Sequence, residues 1–313
     1  MDDVRIVSVA SYLPRARVSN ANLPPLEPPL SLEKIDSFGI LARHHAGPDE
    51  TVLMMGVDAA HRALQQARLH AEDLDFVLLA NWTERRFVPD VAPKLAAQLG
   101  ASRAFALDLC GACTGFLYGV ATARAYLRDP RLRRGLVVAS DRASRQMRPG
   151  SRATIVFGDA AAAAVIERGA TRGYRIVDTE LRSDGTRGEI MEIDADGYLL
   201  PHIRQVELNA LAGQSMADVT RALLKRNELR LADVDRIVPH SGTAGVQSQL
   251  VEALGVDPRR VLTNLPEIGN VTTASIPCAL RHFMDRGQLS PEHTVLTLSV
   301  GLGWHACGVL LSP

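Results

Sequence analysis

Cys113 closes the stretch Cys110-Gly-Ala-Cys113, where an apolar run from Ala104 to Leu109 gives way to a helical pattern from Thr114 to about Leu127. The first turn of a helix has unpaired N–H groups and a positive dipole end, which favour a thiolate and lower a thiol pKa, so a nucleophilic cysteine is expected here. The same Cys-x-x-Cys spacing at a strand-to-helix turn also fits a thiol-disulfide redox pair. A structural zinc site needs a second such pair or nearby histidines, and the sequence supplies neither. His240 ends a short apolar strand in Ile237-Val-Pro-His240, and Asn270 follows Gly269 just ahead of another helical pattern. Taken singly, a histidine at a strand end is a polar loop residue, and an Asn after Gly is a turn or a helix cap.

The elements that must position these residues repeat at an offset of about 160 residues. Ala71 to Ala80 reads against Leu231 to His240, with Asp73 over Asp233 and Asp75 over Asp235. Arg134 to Ser140 lies over Thr294 to Val300, and Cys113 over Thr273. A repeat this long exceeds the roughly 20–50 residues of a solenoid unit and reads as two copies of one α/β unit. The expected division is residues 1–170, carrying the cysteine, and 171–313, carrying the histidine and asparagine. Phe76 to Ala80 and Leu136 to Ser140 are continuous apolar runs, as in strands buried on both faces. Helical spacing covers 51–69, 91–99, 216–226 and 246–254. This alternation predicts mostly parallel sheets sandwiched by helices, with ligands at the carboxyl ends of the strands. The Gly-rich, polar segment 183–203 reads as an insertion covering a site.

Composition narrows the function. The 35 basic residues balance 35 acidic ones, so no global field favours nucleic acid or an anionic membrane. No signal peptide and no apolar run of about 18 residues is evident, which makes the cytoplasm the expected compartment. Four cysteines in a chain this long fit a reducing environment.

Several segments together resemble one family. Asp108-Leu-Cys-Gly-Ala-Cys-Thr-Gly-Phe-Leu-Tyr-Gly119, Val238-Pro-His240 and Gly269-Asn-Val-Thr-Thr-Ala-Ser-Ile-Pro-Cys-Ala-Leu280 are similar to the thiolase-like condensing enzymes, closest to β-ketoacyl-ACP synthase III. Asp49 to Gly56, Ile155 to Asp159 and Gly301 to Gly308 match in the same order. The resemblance implies two pseudo-symmetric βαβαβ halves in an α-β-α-β-α layered sandwich, usually a homodimer. It implies a Cys113-His240-Asn270 triad for acyl transfer to the thiol, followed by decarboxylative Claisen condensation with a malonyl-type thioester. It further implies acyl carrier protein or coenzyme A thioesters as substrates, and no metal or other cofactor. The tetrahedral oxyanion would meet the amide of Cys113 and one from the Gly301 to Gly303 loop, at Leu302 or Gly303. Phe87 would floor an acyl pocket across the dimer, and Arg152 would meet a phosphate or a pantetheine-linked carrier.

Departures from the pattern leave other readings open. His240-Ser-Gly-Thr243 replaces the family's His-Gln-Ala-Asn, and the residues expected to grip the adenine of coenzyme A fall near Glu33 and Ser37. An unusual primer, a non-condensing acyltransferase and a non-catalytic partner subunit therefore stand beside condensation. Glu84 and Asp90 flank Phe87 in a region where related enzymes place a carboxylate base, and neither is assigned.

Overall fold

The computed structural model describes residues 3–86 and 88–313. In chain order the first half holds β1 (Val4–Tyr12), β2 (Ala16–Ser19), α1 (Leu32–Asp36), β3 (Ala42–His45), α2 (Val52–Ala67), β4 (Phe76–Ala80), α3 (Ala92–Leu99), β5 (Phe105–Leu109), α4 (Gly115–Tyr126), β6 (Arg134–Arg142), α5 (Ala153–Val156) and β7 (Asp159–Arg168). The second holds β8 (Tyr174–Ser183), β9 (Met191–Ile193), β10 (Leu199–Pro201), α6 (Gln205–Arg226), β11 (Arg236–Pro239), α7 (Ala244–Leu254), α8 (Leu265–Ile268), α9 (Ser275–Asp285), β12 (Val295–Gly301) and β13 (His305–Ser312).

Nine strands are hydrogen-bonded in the order β11-β12-β13-β8-β1-β7-β6-β4-β5. The join between β8 and β1 holds only the pairs Arg5 with Arg175 and Ile6 with Tyr174. On either side of it the pairing is the same, two antiparallel pairs and then parallel pairing. A single parallel bridge from Ile237 to Val261 stands where β5 pairs with β4 in the first half. The sheets are thus mixed and not mostly parallel as expected. β7 and β13 run antiparallel to β6 and β12, an orientation that the alternation of helix and strand does not set.

Packing sorts the helices into layers. α2 and α3 cover strands of the first half, α6 and α7 those of the second, while α4 and α9 touch strands of both and form the middle layer. Each interface has its own apolar cluster, the largest around α4 and α9. Small side chains permit this closeness. The alanine run 160–164 of β7 is fully buried, and α2 lies on that strand through a face that includes Gly56, Ala59, Ala60 and Ala63. α2 starts at Thr51, whose hydroxyl accepts the Met54 N–H, and ends at Arg68 in the left-handed region.

The repeat is visible in the backbone itself. Positive φ recurs 160 residues apart at Arg68 (58°) and Glu228 (56°), and again at Ala112 (43°) and Thr272 (51°). Asp75 and Asp235 each cap the start of a neighbouring strand, accepting N–H groups of Arg133 and Arg134 in one half and Thr294 in the other. Segment 183–203 is a small hairpin, β9 with β10. Arg148 clasps it through Asp194 and Asp196 and stacks on Tyr198. Among the described residues no helix is long and apolar enough to cross a membrane.

Candidate active site

The nucleophile turn is fixed from several sides. After β5, Gly111 leads into a 3₁₀ turn, Ala112–Thr114, that runs directly into α4. Thr114 donates both its N–H (3.0 Å) and its hydroxyl (2.5 Å) to the Gly111 carbonyl. The Cys113 carbonyl accepts the Ser299 hydroxyl from β12 at 3.0 Å. Gly301 lies flush against the same turn. A β-carbon there would stand 2.7 Å from the Gly111 oxygen and 3.1 Å from the nitrogens of Cys113 and Thr114. Gly301 thus packs directly on the cysteine turn, while Leu302 is half-buried and Gly303 is exposed with positive φ.

Cys113 is half-buried, and its thiol is pushed up to about 12, first by burial and then by the Asp141 carboxylate. That is the reverse of the direction expected from the helix start. The dipole of α4 is real, but a desolvated thiolate close to another anion is disfavoured by more than the helix end returns.

His240 follows β11, its N–H bonded to the Leu298 carbonyl at 2.7 Å. The ring is 5% exposed and its Nδ1 has no hydrogen-bond partner among the described residues. Burial pushes its pKa down to about 4, with the Thr272 backbone pulling the other way. The resting pair is therefore a neutral thiol and a neutral imidazole, and the proton can leave sulfur only as the sulfur attacks. The replaced neighbours of His240 have new tasks. Gln247 reaches back from α7 to the Ser241 carbonyl (2.9 Å) and Thr263 hydroxyl (2.8 Å), and Thr243 caps α7 while donating to Asn209 at 3.0 Å.

Asn270 is held by its backbone between Val156 and Gly158. Gly269 and Gly158 allow that approach, since a β-carbon on either would come within 2.8 Å of the opposing strand's carbonyl oxygen. Its Oδ1 accepts the Thr272 N–H at 2.9 Å, which fixes the amide the right way round and leaves Nδ2 free to donate. The turn Thr272–Ala274 packs against the cysteine turn and borders His240 and Asn270. Asn270 binds its first N–H, His240 meets its Thr272 backbone, and Thr273 packs toward the cysteine turn, its Cγ2 3.1 Å from where a β-carbon on Gly115 would be.

Asp141 went unrecognised in the sequence. It ends the apolar strand β6, is fully buried, and accepts from the Thr272 and Thr273 hydroxyls and the Thr273 N–H on one oxygen. The other oxygen accepts from the Trp82 and Thr83 N–H groups and the Thr83 hydroxyl. The repeat held the clue, because Asp141 lies 160 residues before Gly301 just as Cys113 lies 160 before Thr273.

The remaining expectations are placed unevenly. Arg152 is exposed just ahead of α5. Glu84 is spent on structure, accepting from Arg142 at 2.6 Å and from the first N–H of α2 at 3.2 Å, while Asp90 is exposed. Glu33 and Ser37 are exposed on and just beyond α1. Phe87 lies outside the described residues. Cys110 is exposed and Cys113 half-buried, both free thiols. Among the described residues no three His, Cys, Asp or Glu side chains converge as a metal site requires.

Comparison with known proteins agrees with this layout. The family profile of 3-oxoacyl-[acyl-carrier-protein] synthase III matches residues 107–185, and the profile of its C-terminal part matches 224–312. The β-ketoacyl-[acyl-carrier-protein] synthase III of Acidiphilium cryptum is 34% identical over 307 residues, 95% of both chains. That of Salmonella paratyphi A is 31% identical over 307 residues, 96% of both. The crystal structure of 3-oxoacyl-[acyl-carrier-protein] synthase III from Aquifex aeolicus superposes with a TM-score of 0.92 at 30% identity, covering 99% of this chain and 100% of its own. The priming β-ketosynthase of a polyketide pathway superposes at 0.89 with 27% identity, covering 99% and 96%.

Proposed function

The chain belongs to the 3-oxoacyl-[acyl-carrier-protein] synthase III family, and on that premise we propose that it transfers an acyl group to Cys113 and condenses it with a malonyl-type thioester. The Cys113 sulfur adds to the primer thioester, His240 receives the thiol proton, and the carrier or coenzyme A thiol leaves with that proton. The malonyl group then loses carbon dioxide, and the electron pair of the broken carbon–carbon bond forms an enolate. Its oxygen is held by the Asn270 Nδ2–H and a His240 N–H. The enolate carbon attacks the acyl–Cys113 thioester. The tetrahedral oxyanion meets the amide of Cys113 and one from the Gly301 to Gly303 loop, and collapse expels the Cys113 thiolate, which takes up a proton to restore the thiol.

The observation that carries condensation is the fixed amide of Asn270. Its oxygen is committed to Thr272, so only its N–H groups are left to face the site, and an enolate oxygen needs that kind of donor. Plain acyl transfer has no use for it. The exposed Glu33 and Ser37, where an adenine grip was expected, favour a carrier-borne or otherwise unusual primer, with Arg152 at the phosphate. We read the protein as a cytoplasmic homodimer of two halves, 1–170 and 171–313. The exposed edge strand β5, with Phe105 and Leu107 outward, supports pairing between two copies.

Intact-protein mass measurement after incubation with acyl-CoA and acyl-carrier thioesters tests the first half-reaction. An adduct is expected on wild type and none on Cys113→Ala; an adduct that persists without Cys113 refutes the nucleophile. Carbon dioxide release from malonyl-carrier tests the second, and Asn270→Ala releasing it as fast as wild type refutes the enolate role.

A further inference from the structure

The turn opposite the nucleophile has a task of its own. Thr272 has φ +51°, a region that β-branched residues avoid and keep only where their surroundings over-determine it. What holds it is the Asp141 carboxylate, through the Thr272 hydroxyl at 2.6 Å, the Thr273 hydroxyl at 2.5 Å and the Thr273 N–H at 3.3 Å. Asp141 is itself anchored by the loop Trp82–Thr83. No salt bridge neutralises it among the described residues; the adjacent Arg142 pairs with Glu84 instead.

The repeat gives this arrangement its meaning. In the working half Gly301, which has no side chain, lies against the Cys113 amide. In the other half the equivalent residue is Asp141, whose carboxylate oxygen sits on the equivalent amide, that of Thr273. The second oxyanion site is filled by the protein's own carboxylate. From this plugged site one hydrogen bond leads to a group that would hold the enolate, the Thr272 N–H to Asn270 Oδ1 at 2.9 Å.

We propose that Asp141 is a positioning residue for condensation: by locking the Thr272–Thr273 turn it aims Asn270 at the enolate oxygen. This rests on the condensing function proposed above. Asp141 touches no reacting atom. It acts through Thr272, so breaking that link falls on the step that uses Asn270 and spares acyl loading of Cys113.

The test uses the full-length protein with three variants: Thr272→Val keeps the shape and removes the hydroxyl, Thr272→Ser restores the hydroxyl, and Asp141→Asn removes the charge. Acyl loading of Cys113 is followed by mass, and carbon dioxide release from malonyl-carrier gives kcat and KM. Thr272→Val and Asp141→Asn are expected to lower kcat for carbon dioxide release about tenfold or more, and Thr272→Val, which keeps the carboxylate beside Cys113, should leave KM and acyl loading within about threefold of wild type. Thr272→Ser is expected to recover wild-type kcat to within about threefold. A folded Thr272→Val, with unchanged melting temperature, that releases carbon dioxide at the wild-type rate overturns the proposal. So does equal loss of both half-reactions. If Asp141→Asn does not fold, the Thr272→Val and Thr272→Ser pair decides alone. A wild type that loads acyl groups yet releases no carbon dioxide refutes the condensing function itself, which separates the two failures.

Discussion

The burial of His240 can be read twice, once in catalysis and once in stability. A solvated histidine titrates near 6.5, and this one is pushed down to about 4 by loss of solvent. On the proposed mechanism acyl loading needs a neutral ring to receive the thiol proton, so its rate should hold down to about pH 4 and lack a limb at 6.5. The stability sign follows from proton uptake. Between pH 6.5 and 4 the unfolded chain protonates this ring and the native chain does not, so acid draws the equilibrium toward unfolding and stability is lost as pH falls. At about 1.4 kcal/mol per pH unit the gap is worth about 3 kcal/mol, with no discount for solvent because the ring is nearly fully buried. The perturbation is His240→Gln, which removes the titration. Urea unfolding of both proteins from pH 7.5 to pH 4 cancels the contributions of Asp141, Asp159 and the thiols in the difference. The variant should gain about 3 kcal/mol on wild type across that range. A difference that stays flat with pH, or a loading rate that halves near pH 6.5, refutes the argument.

Gly301→Ala places a methyl group against backbone atoms on all sides, the nearest at 2.7 Å, so the hairpin must move away from Cys113. If its amide serves the oxyanion, single-turnover acyl loading should slow by about 100-fold to 1,000-fold, whereas loading within about threefold of wild type removes Gly301 from that role. Leu107→Asp puts a charge on the outward face of the edge strand β5 and should convert a dimer to monomers in sedimentation velocity. A wild type already monomeric at micromolar concentration, or a variant still dimeric, refutes the pairing.

The two-fold layout was legible in the sequence because strand and turn patterns recur at an offset of 160, whereas Cys113, His240 and Asn270 stand out as a set only through the family resemblance, each being an ordinary local feature alone. What escaped needed partners in space. The thiol's shift has the opposite sign because burial and Asp141 act on Cys113 from residues that no spacing connects to it. β8 was missed because Tyr174–Ser183 changes from alternating burial to a mostly half-exposed stretch, so neither strand period is sustained. α6 begins at Gln205 and not near Met216, since its first turns are largely exposed and lack an apolar stripe. Glu84 drew notice as a possible base, but its partner Arg142 lies 58 residues away and consumes the carboxylate.

The Ser299 hydroxyl that holds the Cys113 carbonyl comes from 186 residues further along the chain, and Gly301 from the same strand. Chains leave the ribosome from the amino end, and early segments compact before late ones exist. The cysteine turn can therefore be wound while β12 is still unmade, but without its carbonyl anchor. On the proposed mechanism, a chain that stops short of β12 carries the thiol in a turn not yet braced for loading.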